Sequence, residues 1–188
     1  MQIEQRLTTD EREAKSQSLI KAYRTDPACF MDLYQLWLEP VFYYYLRLTG
    51  HRETAEDLTA DFFLKLLNGL SKYKSKGRFT SWLFTVAHNL AMDHFRREKR
   101  FMETMASENE PNENLSCPTG TSPDDVILLR QCLAKLNHDD QELIHLRYHE
   151  GLSYAQIGKI VGRREQTVKK AVYRILNVLS NEIGANHE

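Results

Sequence analysis

The chain has 188 residues and a mass of 22.0 kDa, which allows one domain of ordinary size or two small ones. Its 41% of hydrophobic and 27% of charged residues exclude a fully disordered or fibrous chain, and its formal net charge is −1. The sequence has no apolar run long enough to span a bilayer, and its first fifteen residues lack the apolar core of a secretory signal. We therefore expect a cytosolic protein that does not insert into membranes.

The near-zero net charge conceals a segregated distribution. Residues 72–101 carry eight basic and two acidic side chains, whereas residues 102–128 carry six acidic side chains and no basic one. A second basic segment, residues 159–174, has six bases and one acid. Charge of one sign concentrates where a polyanion binds, whereas an ordinary solvated surface mixes the two signs. The two basic segments therefore predict contacts with nucleic acid.

The three cysteines are Cys29, Cys117 and Cys132, and none belongs to a Cys-x-x-Cys pair. An odd number of widely spaced cysteines indicates neither a disulfide framework nor a zinc site built from cysteines alone. We expect reduced structural thiols, with Cys117 in a polar and exposed stretch.

Helical spacing of apolar residues predicts the first domain, residues 1–101. From Phe30 to Leu48 the apolar positions recur every three or four residues, with Pro40 expected to kink or split the segment. A second helix should carry Ala55, Leu58, Phe62 and Leu66 on one face and end near Gly69. A basic loop at 71–81 then leads into another amphipathic helix, which runs from Trp82 to about Arg100.

Residues 102–122 have the composition of a flexible acidic linker. This stretch and its flank contain three prolines, many polar residues and no base, so they cannot bury enough apolar surface to offset their ordering entropy. After Asp125 helical spacing resumes, which predicts a second domain over residues 123–188. No segment alternates as a strand does. The sequence therefore predicts an all-α fold of two small helical domains.

A helix-turn-helix pattern lies in the second domain. Ser153 and Gln156 form a capping box at the start of a short helix, Tyr154 to Val161, and Gly162 can supply a left-handed turn. A longer helix from about Glu165 should follow, as in DNA-binding helix-turn-helix motifs. An ordinary helical hairpin with a solvated basic face is the alternative. The outward face of the longer helix carries Arg164, Gln166, Lys169, Lys170, Tyr173 and Arg174.

The first basic region interleaves cations with aromatic residues, a combination typical of single-stranded DNA binding, because bases stack on rings while Lys and Arg follow the backbone. Trp82 follows the basic loop and could wedge against an opened base pair, although a tryptophan at helical spacing also fits a core position. The basic helix end could equally be a solvated end that the helix dipole favours. The aromatic residues concerned are Tyr73, Phe79, Trp82, His88 and Phe95.

These motifs carry a resemblance to a known family. The segments AEDLTADFFLKLL and FTSWLFTVAHNLAMDHFRREKR resemble domain 2 of bacterial sigma factors, and residues 133–179 resemble their domain 4. A short linker with no third domain between them is similar to the extracytoplasmic-function (ECF) group of alternative sigma factors. The resemblance implies a factor that binds core RNA polymerase, through the β′ clamp helices and the β subunit, and directs initiation at cognate promoter DNA.

The resemblance also implies roles for residues of the first domain. Four residues match the segment that docks on the β′ clamp helices: Asp57, Leu58, Asp61 and Phe62. Nine match the part that opens and reads the minus-ten promoter element, where a flipped base would be captured: Lys74, Lys76, Arg78, Phe79, Trp82, Asn89, Asp93, Arg96 and Arg97.

In the second domain, the residues that match the helix reading the minus-thirty-five element are Arg163, Arg164, Glu165, Gln166, Thr167, Lys169, Lys170, Tyr173 and Arg174. The acidic linker matches the segment threaded through the polymerase. An anti-sigma factor is a possible partner, and no cofactor, metal or small-molecule substrate is implied. Two positions depart from the family pattern: Arg163 stands where an apolar residue usually packs inward, and Ala171 where an arginine is frequent.

Three other interpretations are open at this point. An autonomous helix-turn-helix regulator would leave the basic aromatic domain unexplained and usually needs a dimerisation element. A metal-dependent enzyme could use His145 and His149, one helical turn apart, although no phosphate loop or nucleophile motif accompanies them. An interaction module that only binds other proteins would not need two basic surfaces. We expect the four acids nearby to be surface charges: Asp139, Asp140, Glu142 and Glu150.

Overall fold

A computed structural model describes residues 7–74, 78–104, 132–133 and 136–185. All regular secondary structure within these ranges is helical, which confirms the expected all-α class. None of the helices described there is long and apolar enough to cross a membrane. Most of the predicted linker, together with Cys117 and Lys76, lies outside the described residues, whereas residues 102–104 continue the preceding helix.

Four helices form a first bundle: α1 (Thr9–Tyr23), α2 (Cys29–Thr49), α3 (Arg52–Leu70) and α4 (Phe79–Thr104). A second bundle contains α5 (His138–Ile144), a π-helical turn (His145–His149), α6 (Tyr154–Ile160) and α7 (Glu165–Ala185).

Large aromatic side chains fill the first bundle. Trp37, Tyr45 and Phe62 are fully buried, and Trp37 makes edge contacts to Phe79 and Phe84 at centroid distances of 6.1 Å. Edge-to-face pairs of this kind add to the free energy gained by burying the rings. The aromatic core therefore fixes how α2, α3 and α4 pack together.

Helix α2 runs unbroken through Pro40, so the expected split at this proline does not occur. Proline removes one backbone hydrogen bond from a helix interior, at a cost of about 3 kcal/mol. Pro40 is buried between Trp37 and Val41, both of which have no exposed surface. Packing of these neighbours stabilises the helical conformation across the proline.

The start of α4 is set by a side chain from α1. Glu13 accepts hydrogen bonds from the backbone N–H groups of Phe79 (2.7 Å) and Thr80 (2.9 Å), which are donors that a helix N-terminus leaves without intrahelical partners. Helix α4 consequently begins at Phe79, one turn earlier than Trp82, where apolar spacing had placed it. Helix α3 ends at Leu70, close to the expected stop at Gly69.

The second bundle contains the predicted helix-turn-helix. The capping box between Ser153 and Gln156 is formed, and Gly162 has a φ of +67°, the left-handed region that glycine reaches at no steric cost. Within α6, a Cβ on Gly158 would lie 2.5 Å from the backbone oxygen of Arg163, so only glycine allows the turn to approach this closely. The motif predicted from the sequence is confirmed.

Candidate nucleic-acid and polymerase interfaces

The outer face of α7 is exposed and rich in cations. Val168, Val172, Ile175 and Leu179 are buried on the inner face, as helical spacing predicted. All nine residues predicted to read the minus-thirty-five element are exposed, and several of them line an open groove along the helix. Lys169 Nζ lies 6.0 Å from the centroid of the Tyr173 ring. This face can present bases, amides and an aromatic ring to a groove of DNA.

Two arginines of this surface form ion pairs with the first turn of α5. Arg174 Nη2 donates to both carboxylate oxygens of Asp140, at 2.8 and 2.9 Å, and Arg163 pairs with Asp139. Asp140 is only 8% exposed, so the expectation that it is a surface charge is wrong. Arg163, one of the two positions that depart from the family pattern, is exposed and does not pack inward. These contacts position α7 against α5.

The C-terminal half of α4 forms the second cationic face. Asn89, Arg96 and Arg97 are exposed, and Asp93 is half-buried one turn away from them. Asp93 accepts a hydrogen bond of 2.7 Å from Arg96 Nη2, which orients the guanidinium along the helix. Asn89, Arg96 and Arg97 of α4 are thus accessible to solvent, with Asp93 among them.

The aromatic residues near the basic loop are less accessible than expected. Phe79 has no exposed surface and Tyr73 is 7% exposed, so the expectation that Phe79 contacts DNA is corrected: its ring belongs to the core. Trp82 is half-buried, with its ring 4.8 Å from that of Tyr73 and 5.6 Å from that of Phe79. The earlier start of α4 places Phe79 on the inner face. Trp82 combines core packing with partial exposure to solvent.

The cations of the loop differ in their environment. Lys74 is exposed, Arg78 is half-buried and pairs with Asp10 of α1, and Lys76 is one of the residues that are not described. The contact from Arg78 joins the end of the loop to α1, near the carboxylate of Glu13 that caps α4.

Helix α3 presents an exposed acidic face to solvent. Asp57 and Asp61 are exposed, whereas Leu58 is 6% exposed and Phe62 fully buried. The expectation that Leu58 and Phe62 offer contact surface is corrected, because both side chains pack into the first bundle. Leu64, which is 61% exposed, belongs to the outer face instead. The spacing of positions 57, 61 and 64, four and three residues apart, is the helical signal that could have identified it.

A third cluster joins the two bundles and consists of buried polar groups. Tyr44 Oη donates to Glu142 Oε1 at 2.5 Å, and His88 Nδ1 lies 2.8 Å from the same oxygen. Burial and the charge of Glu142 raise the pKa of Tyr44 well above its ordinary value. Glu142 is 2% exposed and therefore is not the surface charge expected from the sequence.

Glu150 is the most deeply buried acid of this cluster. It has no exposed surface, and Arg12 Nη1 of the first bundle lies 3.2 Å from its Oε2. Burial alone would raise its pKa, but the contact with His145 Nε2 at 3.4 Å, the hydrogen bond with His149 at 3.0 Å and the charge of Arg12 outweigh burial and lower the pKa to about 2. Glu150 is therefore ionised at neutral pH and is held between the two bundles, not at the surface.

The same cluster contains the histidine pair considered as a metal site. Arg47 Nη1 lies 2.5 Å from His145 Nδ1, and because an arginine only donates, Nδ1 accepts and the neutral ring carries its hydrogen on Nε2. Burial lowers the pKa of His145 to about 4, so the ring is neutral at pH 7. The rings of His145 and His149 stack with 4.8 Å between centroids and 17° between planes. One ligand atom from each of these histidines and one from Glu150 lie within 4.8 Å of one another, and Arg47 contacts His145 Nδ1.

Comparison with protein families gives two matches in chain order. Residues 33–101 match the family model described as Sigma-70 region 2, and residues 127–179 match the model described as Sigma-70, region 4. The first match covers most of α2, α3 and most of α4, including the acidic face of α3 and the basic face of α4. The second includes the helix-turn-helix.

Individual relatives extend over most of the chain. It is 33% identical over 150 residues to the RNA polymerase sigma factor YlaC of Bacillus subtilis, covering 76% of this chain and 85% of that protein. It is 30% identical over 173 residues to the ECF RNA polymerase sigma factor SigL of Mycobacterium tuberculosis, covering 87% of this chain and 95% of that protein.

Among solved structures, the fold is similar to that of the sigma factor RpoE of Bartonella quintana, determined in complex with the anti-sigma factor NepR. The TM-score is 0.71 with 23% sequence identity, over 82% of this chain and 96% of that chain. At this identity the similarity concerns the fold.

Proposed function

Because the chain belongs to the sigma-70 family of RNA polymerase sigma factors, in its ECF group, we propose that it binds core RNA polymerase and directs initiation at promoters of its own type. The observation that carries this proposal is the presence of two exposed basic faces, on α4 and α7, in two different bundles of one chain. An autonomous DNA-binding protein needs only the second of them.

The outer face of α7 is the proposed reader of the minus-thirty-five element. In a helix-turn-helix, the N-terminal part of the second helix enters the major groove while the first helix crosses the backbone. Arg164 and Gln166, at the N-terminus of α7, have the bidentate geometry that reads base edges, and Lys169 and Lys170 neutralise phosphates. The ion pair between Arg174 and Asp140, at 2.8 Å, restricts the orientations that the Arg174 side chain can adopt.

The basic face of α4, together with Lys74, Arg78 and Trp82, is the proposed site for the minus-ten element. Asn89, Arg96 and Arg97 lie on one exposed face, and the half-buried Trp82 lies where the chain leaves the loop. A half-buried tryptophan braced by Tyr73 can stack on a base without losing its position in the core. Phe79 supports this site from within.

The acidic face of α3 is the proposed contact for the β′ clamp helices of core polymerase. Asp57 and Asp61 offer exposed charge, and Leu64 offers exposed apolar surface about one turn beyond Asp61. Protein interfaces commonly combine apolar and charged surface. Leu58 and Phe62 hold this helix in place from the inner side.

As a transcription initiation factor the protein would act in the cytoplasm, where the polymerase is, without cofactor or substrate of its own. An anti-sigma factor is a proposed further partner. The sigma factor of the similar solved structure was determined with one bound.

Run-off transcription tests the proposal. Core RNA polymerase supplied with this protein should produce defined transcripts from a genomic fragment library, whereas either component alone should not. Failure across a broad library would contradict the proposal. DNA binding by the isolated protein that equals binding by its complex with polymerase would instead favour an autonomous regulator.

A further inference from the structure

Helix α1 contacts the start of α4 through two acidic side chains. Asp10 pairs with Arg78, and Glu13 accepts hydrogen bonds from the backbone N–H groups of Phe79 and Thr80. Asp10 and Glu13 are three residues apart and therefore lie on one side of α1. Helix α1 ends before residue 33, where the matched Sigma-70 region 2 begins. One half of this contact therefore lies outside the matched region.

We propose that Glu13 is a positioning residue of the minus-ten site: from α1 it fixes the first turn of α4 and, through that turn, the half-buried ring of Trp82. The positioning is inferred from contacts within the free protein. Its consequence, efficient opening of the minus-ten element, rests on the function proposed above.

The carboxylate of Glu13 is fully engaged. Oε1 accepts from the Phe79 N–H at 2.7 Å and from Gln17 Nε2 at 2.9 Å. Oε2 accepts from the N–H of Thr80 at 2.9 Å and from its hydroxyl at 2.6 Å. Burial would raise the pKa of Glu13, but these hydrogen bonds outweigh burial and lower it. Glu13 is therefore ionised at neutral pH, and its charge lies where the helix dipole favours an anion.

The residue that precedes α4 cannot supply this cap. Helices are commonly capped by a Ser, Thr, Asp or Asn side chain directly before the first turn. The residue before α4 is Arg78, and a guanidinium has donors only, so it cannot accept from these N–H groups. Helix α1, by contrast, has its own capping box between Thr8 and Glu11. The start of α4 therefore depends on an acceptor 66 and 67 positions earlier in the chain.

The first turn of α4 in turn supports Trp82. Phe79 is fully buried, and its ring lies 5.6 Å from the Trp82 ring, which also contacts Tyr73 at 4.8 Å. The Trp82 backbone N–H donates to the carbonyl oxygen of Arg78 at 3.4 Å. A displacement of this turn therefore moves the indole. A ring held in place before binding loses less conformational entropy when it stacks on an unpaired base.

Tryptophan fluorescence tests the positioning in the free protein. The chain has two tryptophans, of which Trp37 has no exposed surface and Trp82 is half-buried. Quenching by acrylamide therefore reports chiefly on Trp82. Glu13→Gln removes the charge and leaves one acceptor oxygen in place of two, so the quenching constant should rise about twofold as the first turn opens more often. An unchanged constant would overturn the positioning, whatever the protein does in transcription.

Glu11→Gln is the matched control. It makes the same change on the same helix, but Glu11 caps α1 itself through Thr8. Its quenching constant should equal that of the unmodified protein. Equal increases in both variants would show that loosening of α1 as a whole, and not the contact of Glu13, exposes the ring, and this result would also overturn the proposal.

The consequence for initiation is measured at a promoter identified by run-off transcription. With core polymerase, Glu13→Gln should open the minus-ten element about tenfold less, the effect expected when a hydrogen bond to a charged group is lost. Permanganate oxidation of unpaired thymines measures this opening. Binding to the duplex promoter before opening should be unchanged, and a template already unpaired at the minus-ten element should restore transcription.

The outcomes separate positioning from stability and from the proposed function. Loss of duplex binding together with opening, without restoration on the unpaired template, would indicate general destabilisation and overturn the positioning role. Equal opening by Glu13→Gln and the unmodified chain would overturn the consequence for initiation. An unmodified chain that opens no promoter would contradict the proposed function, while the quenching experiment would still decide the positioning.

A variant on the other side of the contact provides a measurement that does not alter Glu13. Thr80→Val keeps the shape of the side chain and removes the hydroxyl that donates to Glu13 at 2.6 Å. Thr80 has no exposed surface, so an effect on opening cannot come from a lost contact with DNA. Thr80→Val should raise Trp82 quenching and reduce opening, and the double variant should be no worse than Glu13→Gln alone, because both changes act on one contact. Additive effects of the two substitutions would overturn the assignment of Glu13.

Discussion

The second bundle has two charged faces that differ in sign and in exposure. The outer face of α7 carries exposed cations, including Lys169 and Lys170, whereas the face toward the first bundle carries the buried anions Glu142 and Glu150. Charges in water interact weakly and are screened by salt, whereas buried charges depend strongly on their partners. Charged side chains therefore serve binding to an external partner on one face and specific internal packing on the other.

The largest effect on stability is expected for Glu150, the buried acid between the two bundles. Glu150→Gln should lower the free energy of unfolding by about 3 kcal/mol, because Arg12 then remains buried without an ionised partner. Urea denaturation measures this change. Glu56→Gln is the matched control, since Glu56 forms an exposed pair with Arg52 at 2.7 Å and should cost less than about 0.5 kcal/mol. Equal losses in the two variants would refute the distinction between the faces.

A second prediction concerns pH. His145 has a pKa of about 4 in the folded chain against 6.5 ordinarily. The contribution of its neutral ring to the free energy of unfolding is therefore complete above pH 6.5 and is lost as the pH falls toward 4. Glu150, with a pKa of about 2 against 4.5, adds a loss in the same direction below pH 4.5. Lowering the pH from 7 to 5 should therefore reduce the free energy of unfolding by on the order of 2 kcal/mol.

The groups that face His145 explain this shift and define its control. Burial beside Tyr44 disfavours protonation of His145 and outweighs the opposite effect of Glu150. Arg47 and His149 also disfavour a positive charge on His145. His145→Gln should flatten the dependence between pH 7 and 5, measured by urea denaturation at each pH. A variant with the unmodified slope would show that another group titrates.

The third prediction concerns the exposed acidic face of α3. Asp61→Arg should weaken association with core polymerase about tenfold, or about 1.4 kcal/mol, while leaving the stability of the fold nearly unchanged because Asp61 is exposed. Equilibrium binding to core enzyme gives the affinity. Asp26→Arg makes the same charge reversal at an exposed turn away from α3 and should have little effect. Similar affinities of the two variants would contradict the assigned docking face.

The smallest expected effects belong to single exposed cations. Lys169→Ala and Arg96→Ala should each reduce promoter binding by the polymerase complex several-fold and lower the slope of log affinity against log salt by about 1. Lys21→Ala removes an exposed cation from α1 and should leave both quantities unchanged. Unaltered salt dependence in Lys169→Ala and Arg96→Ala would place the DNA elsewhere on the protein.

Some features were predictable because they depend on neighbours in the chain. The capping box of Ser153 and Gln156 and the left-handed turn at Gly162 each involve a few consecutive residues, and both are formed as predicted. The inner face of α7 followed from helical spacing. Helix boundaries were less accurate where a distant side chain decided them, as Glu13 does for the start of α4.

The environments of individual charged and aromatic residues were the least predictable part. Phe79 sits in a basic aromatic segment yet is fully buried, and Glu142 was expected on the surface yet is 2% exposed. Leu64, an apolar residue on a helix, is 61% exposed. Composition and spacing indicate what a segment can bind, but burial depends on which other segment covers it.

The sequence by itself determined the all-helical class, the helix-turn-helix and the separation of basic from acidic segments, because these depend on local spacing, capping and composition. The tertiary structure alone decided which charges face solvent and which hold the two bundles together. Tyr44 and Glu142 are 98 residues apart in the chain, and Arg12 and Glu150 are 138 apart. Contacts over such separations leave no periodic signal in a sequence, since they arise only when the helices pack.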